Sequence, residues 1–182
     1  APLFHPAMKS VGSVRNALKV KTLFNKRGPN INHSFPKIQL VGVYDLDVMD
    51  LYHQVFKESG QNYIIVNSLD GYDEISLTGD ARFVSNLTED NLSPADFGLA
   101  QVSPEELYGG ETVEAAAKIF KNVLDGTGTE AQQNVVIANT ALGIQCMYPD
   151  KSLADCVAEA RESLESKRAL GAFRKLIELN GK

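Results

Sequence analysis

Lys37-Ile38-Gln39-Leu40-Val41-Gly42-Val43-Tyr44 decides the fold when read with the second apolar run, Asn62-Tyr63-Ile64-Ile65-Val66-Asn67. Both runs are rich in β-branched and apolar side chains and read as buried strands. Between them, Asp45 or Asp47 can accept hydrogen bonds from the free N–H groups that open a helix through Leu51, Val55 and Phe56. A strand, helix, strand order asks for a right-handed parallel crossover. The predicted class is therefore α/β, a mostly parallel sheet flanked by helices.

Downstream, Ile75 to Leu77 and Arg82 to Leu87 read as short strands separated by Gly79-Asp80, a hairpin or an extension of the sheet. From Ser103 the character becomes helical. Ser103-Pro104-Glu105-Glu106 has proline at the first helical position and acids in the first turn. Helices are predicted over Val113 to Leu124, Glu130 to Met147, and Leu153 to Leu179, the last with a break near Lys167 or Gly171. Ala116, Ile119, Phe120 and Val123 form one apolar stripe; Val135, Val136, Ala138, Asn139, Leu142 and Ile144 lie along the next helix. Both stripes read as core covering the sheet. Gly126-Thr127-Gly128-Thr129 follows a helix rather than a strand and lacks a P-loop's later glycine and lysine, so it reads as a helix-to-helix turn.

Upstream, Met8, Val11, Val14 and Leu18 fall at helical spacing over residues 6–20, and residues 22–28 suit a short second helix ended by Gly28-Pro29. A polar stretch follows, with a boundary near Ser34. The predicted organisation is a helical segment over 1–34 and an α/β portion over 35–182.

With 182 residues, 43% of them apolar, the chain can bury one good core. A net charge of -5 without a dense Lys/Arg cluster argues against a nucleic-acid surface. No run is long and apolar enough for a membrane span and the start is not signal-like, so a soluble, cytoplasmic protein is expected. Cys146 and Cys156 lack partners at zinc-ligand spacing and read as small buried side chains. His5, His33 and His53 fall at no metal-ligand spacing, and no nucleophile-elbow pattern occurs. His53 reads as a structural or exposed helix residue.

Within Asp70-Gly71-Tyr72-Asp73-Glu74-Ile75-Ser76-Leu77-Thr78-Gly79, two adjacent carboxylates follow the second strand. At about 4 Å and an effective dielectric near 20, two such charges repel by roughly 4 kcal/mol, which a bridging cation would reverse. Taken alone, such a pair reads as a solvated acidic turn.

The pair does not stand alone. Its segment resembles the DG-x-DE-[IV]-S element of the anthranilate phosphoribosyltransferase family. His5-Pro6-Ala7-Met8-Lys9 with Arg15 is similar to that family's HPAMK-x5-R segment, and Lys21-Thr22-Leu23-Phe24-Asn25 with Gly28-Pro29 to its RTxFNxxGP element. Pro36 to Val43 resembles its PKxQLVGV strand, and Ser93 to Leu99 its PEDFGL loop. Five ordered motifs at compatible spacing make the resemblance specific, over nearly the whole chain but only the C-terminal half of the family's length.

The resemblance implies transfer of a phosphoribosyl group from phosphoribosyl pyrophosphate to the amine of anthranilate, a step of tryptophan synthesis. It implies Mg2+ held on the diphosphate by Asp73 and Glu74. Arg15 would face the anthranilate carboxylate, for which a planar guanidinium is well shaped, with His5 and Pro29 beside the same substrate. Read without the resemblance, Arg15 is a solvent-facing helix residue, His5 a frayed end and Gly28 a helix stop. The family's GTGGD loop, whose glycines let backbone N–H groups reach the diphosphate, does not occur in these residues. A severed half, inactive alone, is thus expected, and whether a separate N-terminal half joins it stays open at this point. The resemblance implies a homodimeric family, and for this chain, without the helices of that surface, a monomer is one open alternative.

The pattern departs from the family at Lys26, Arg27, Asn30 and His33, where charged or polar groups replace apolar residues and a proline. Redesign for solubility and natural drift both fit those changes, and the two cations weigh against anthranilate binding. A non-catalytic folded module and a nucleoside phosphorylase of related fold remain alternatives.

Overall fold

The structure, a computed structural model, describes residues 36–181. The helices expected over 6–20 and 22–28, the boundary near Ser34, and His5, Arg15 and Pro29 lie outside the described residues.

Strand β1 spans Ile38–Gly42, helix α1 Leu46–Ser59 and strand β2 Asn62–Ser68. Of the two aspartates that could cap α1, Asp45 does so: its carboxylate accepts from the Val48 N–H at 2.8 Å. Gly60 ends the helix at φ 69°, a left-handed conformation that costs glycine little. β1 and β2 pair in parallel, from Ile38 opposite Asn62 to Gly42 opposite Val66. Strands β3 (Ala81–Ser85) and β4 (Glu89–Leu92) complete the order β1-β2-β3-β4. The α/β class stands. Among the described residues the parallel character is confined to β1–β2, since β2–β3 and β3–β4 are antiparallel.

Alternation along β2 puts apolar side chains on both faces of the sheet. Tyr63 and Ile65 join Val41, Val84 and the α1 residues Met49, Tyr52 and Phe56 on one side. Val66, on the other side, joins a larger core filled by helices α3 (Glu130–Met147) and α4 (Leu153–Glu165). Helices therefore cover both faces of β2, which is why it reads as an unbroken apolar run.

The strand expected at Ile75 to Leu77 is not one. Ile75 and Leu77 are buried, yet their backbone groups bond to the side chain of Asn139 and to the Val102 N–H instead of to a neighbouring strand. Leu77 sits at φ 59°, left-handed and unfit for a ladder. The hairpin is one step later, between β3 and β4, closed by the Ser85 hydroxyl accepting from Leu87 and Thr88 N–H groups.

Pro104–Leu107 makes one 3-10 turn with a capping box, and the longer helices follow. Helix α2 is Val113–Asp125. The turn before α3 has Gly126 at φ 84°, and the expected helix-to-helix reading of residues 126–129 holds. Helix α5 spans Arg168–Asn180, the break before it falling at Ser166-Lys167. The stripe on α2 does not cover the sheet. Only Val123 is buried; Phe120 is 49% exposed and meets Phe173 of α5 edge to face at 5.0 Å. α2 packs chiefly against α5, leaving its apolar stripe open to a hollow.

Candidate functional site

Parallel β1 and β2 bring their C-terminal ends to one edge of the sheet, the place where open α/β sheets receive ligands. The chain leaving β2 loops over residues 69–80 before β3, and Asp73 and Glu74 stand in its middle. Its base is tied to both strands. Asn67 Nδ2 donates to the Val43 carbonyl at 2.8 Å, and the Ser68 N–H donates to the Tyr72 carbonyl at 2.9 Å. The Asp70 carboxylate accepts from the Thr78 hydroxyl and, at 3.5 Å, from that of Ser76. Asp70 thus closes the loop internally.

Gly42 is where the loop crosses β1. A Cβ there would stand 1.6 Å from the Asp73 carbonyl oxygen, so the turn can lie this close only over a bare Cα. Glycine ends β1 because another segment of backbone passes over it.

The two carboxylates are exposed, and among the described residues neither takes part in an ion pair or a side-chain hydrogen bond. Glu74 borders a hollow of about 360 Å³ with Tyr72 and Ser76 on its own side and Ile119, Phe120 and Val136 opposite. Desolvation against that wall, and then the adjacent Asp73 charge, push the Glu74 pKa above the usual carboxylate value. A cation would relieve both effects. Among the described residues no third His, Cys, Asp or Glu stands beside these two carboxylates, so a cation held by them would keep most of its positions open. Such a donor set fits Mg2+, which keeps several positions for water and phosphate, and does not fit a closed zinc site.

Of the residues singled out in the sequence, Glu74 borders the hollow, and Asp73 precedes it on the same turn with its carbonyl packed over Gly42. His53 stays structural, with Nδ1 2.9 Å from the Tyr63 hydroxyl. Cys146 and Cys156 are free and buried, and burial raises both thiol pKa values. Sequence reasoning missed Gly42, Ser68 and Asn139, which shape the turn without bearing charge. Asn139 alone left a signal, as an amide inside an apolar stripe. No described helix is long and apolar enough to cross a membrane.

Over residues 1–170 the chain matches the family described as glycosyl transferase family, a/b domain. It is 51% identical over 180 residues to an anthranilate phosphoribosyltransferase of Phocaeicola vulgatus, covering 99% of this chain and 54% of that protein. The chain spans about half the length of the curated relatives it matches. The crystal structure of anthranilate phosphoribosyltransferase from Thermus thermophilus is 29% identical with a TM-score of 0.85, covering 96% of this chain and 52% of that one. The Saccharomyces cerevisiae enzyme in complex with PRPP and Mg shares the fold at 24% identity and a TM-score of 0.85, with coverage of 96% and 50%.

Proposed function

The chain belongs to the glycosyl transferase family through its a/b domain, and from that premise we propose that it carries the metal-holding part of an anthranilate phosphoribosyltransferase. The observation that carries this reading is the pair Asp73 and Glu74 on a loop at the C-terminal ends of β1 and β2, without a cationic partner among the described residues. The names of the relatives support the substrates, phosphoribosyl pyrophosphate and anthranilate.

In the reaction the anthranilate nitrogen bonds to the anomeric carbon and the carbon–oxygen bond to diphosphate breaks. The bonding pair leaves with the diphosphate, and the nitrogen gives up a proton. Asp73 and Glu74 would hold Mg2+, which when bound supplies positive charge to the departing diphosphate. The residues of the chain do the positioning. The turn keeps two carboxylates at the strand ends at no reorganisation cost during the reaction. Arg15, His5 and Pro29 are proposed for the anthranilate side on their motifs alone.

These 182 residues contain no GTGGD run, so we assign the backbone cradle for the diphosphate to sequence equivalent to the other half of the relatives. The chain by itself is then inactive. Mixing tests this. The chain plus a polypeptide bearing the GTGGD half of a relative should form phosphoribosyl anthranilate while neither does alone, and Asp73→Asn with Glu74→Gln should abolish it. Turnover by the isolated chain, or full activity of the double variant, would overturn the reading. Phosphorolysis of thymidine or uridine would replace it with a nucleoside phosphorylase.

A further inference from the structure

Two consecutive peptide groups immediately after Glu74 are each held at both edges, by the same two side chains. Ser68, the last residue of β2, donates its hydroxyl to the Glu74 carbonyl at 2.5 Å and accepts from the Ser76 N–H at 3.2 Å. Asn139, on α3, accepts from the Ile75 N–H at 2.9 Å through Oδ1 and donates to the Ile75 carbonyl at 2.8 Å through Nδ2. The Glu74–Ile75 peptide thus has its oxygen on Ser68 and its N–H on Asn139. The Ile75–Ser76 peptide has its oxygen on Asn139 and its N–H on Ser68. Ser68 is fully buried and Ile75 is 2% exposed, so water does not substitute for these bonds.

We propose that Asn139 and Ser68 are positioning residues that fix the backbone beneath Glu74, and so set where its carboxylate meets a divalent cation beside Asp73. This inference rests on the metal reading of Asp73 and Glu74. The chemistry is specific to an amide at 139: one donor and one acceptor are needed at once, which neither a carboxylate nor an aliphatic chain offers. The same Nδ2 also donates to the Val135 carbonyl at 2.9 Å, which orients the amide on its own helix. The bonds span 64 residues of sequence and tie the turn to α3, whose neighbours Ala138, Ala141 and Leu142 are fully buried. A group held by the rigid core, rather than by the loop itself, cannot drift with the loop.

The test compares Asn139→Leu and Ser68→Ala with Met49→Ala, a fully buried control in the core on the other side of the sheet. Calorimetric titration of the chain with Mg2+ alone and amide hydrogen exchange at Ile75 and Ser76 are the readouts. Asn139→Leu and Ser68→Ala should each weaken Mg2+ roughly 10- to 100-fold, the range for lost partners of metal ligands. Each should also speed exchange at Ile75 or Ser76. Met49→Ala should lower the melting temperature at least as far while keeping Mg2+ affinity within about twofold, because it opens a cavity in a different core cluster from the one that holds Ile75. Equal loss of affinity in the control, or unchanged affinity in both clamp variants, overturns the proposal. If Asp73→Asn with Glu74→Gln binds Mg2+ as the unsubstituted chain does, the metal reading is what fails. Exchange at Ile75 and Ser76 then reports the clamp by itself.

Discussion

Glu74 is a carboxylate whose ionised form the fold disfavours, first by desolvation at the hollow and then by Asp73. Its pKa is raised in the folded state, so the folded chain holds the proton to higher pH than the unfolded chain does. Stability from this group is therefore present below the ordinary carboxylate pKa and is lost as pH rises through the raised value. Glu74→Gln should melt higher than the unsubstituted, metal-free chain at pH 7, and the difference should vanish on acidification below the carboxylate range. Thermal melts at a series of pH values check this. A second prediction belongs to Gly42. Gly42→Ala must push the Asp73 carbonyl away from 1.6 Å, so either the turn shifts or the strand end does. Weakened Mg2+ binding with the sheet intact, read by amide shifts of residues 70–76 against those of β2, is the expected outcome. These two residues were unequally legible in the sequence. The acids announced themselves by type and motif, whereas the role of Gly42 depends on a loop crossing it from 31 positions away along the chain.

The helices and strands β1, β2 and β3 were legible to within a few residues because their signals are local, whereas β4, the charged Glu89–Leu92, was not among the expected strands. Thr129 with Gln132 forms a capping box at the start of α3, Gly126 stops α2, and Lys167 in the left-handed region separates α4 from α5. Lys167, at φ 64°, lets this break be tested: Lys167→Gly should stabilise the chain by about 0.5–1 kcal/mol by removing the cost of a Cβ there. Denaturant titration measures it. The stripe on α2 was misread because helical spacing says which residues share a face, not what lies opposite. That face meets Glu74 and an open hollow, so Phe120→Ser should cost no more than about 1–1.5 kcal/mol, mostly its edge contact with Phe173. Leu142→Ala, in the closed core of α3, should cost about 2–5 kcal/mol. Residues 75–77 were misread for a related reason. Their apolar alternation serves burial in a loop whose backbone is held by the side chains of Ser68 and Asn139 and by the distant Val102 N–H, and no local pattern encodes those.

At the scale of the whole molecule, the order β1, α1, β2 with a covering layer on each side carries one strand-end loop, and the polar groups around that loop serve to hold it still. Asn67 ties it to β1, Ser68 to β2, Asn139 to α3, and Gly42 leaves room for it. On the proposed reading, the tethered turn and the exposed acid pair would present a cation with ligands already placed, leaving water and diphosphate to complete its shell. Mn2+ prefers the same oxygen ligands as Mg2+ and broadens the resonances of nearby nuclei, so it reports location directly. Substoichiometric Mn2+ with inorganic pyrophosphate should selectively broaden the amides of Asp73, Glu74 and Gly42, and the broadening should disappear in Asp73→Asn with Glu74→Gln. Broadening centred on other carboxylates, or persisting unchanged in the double variant, would contradict a metal site on this turn.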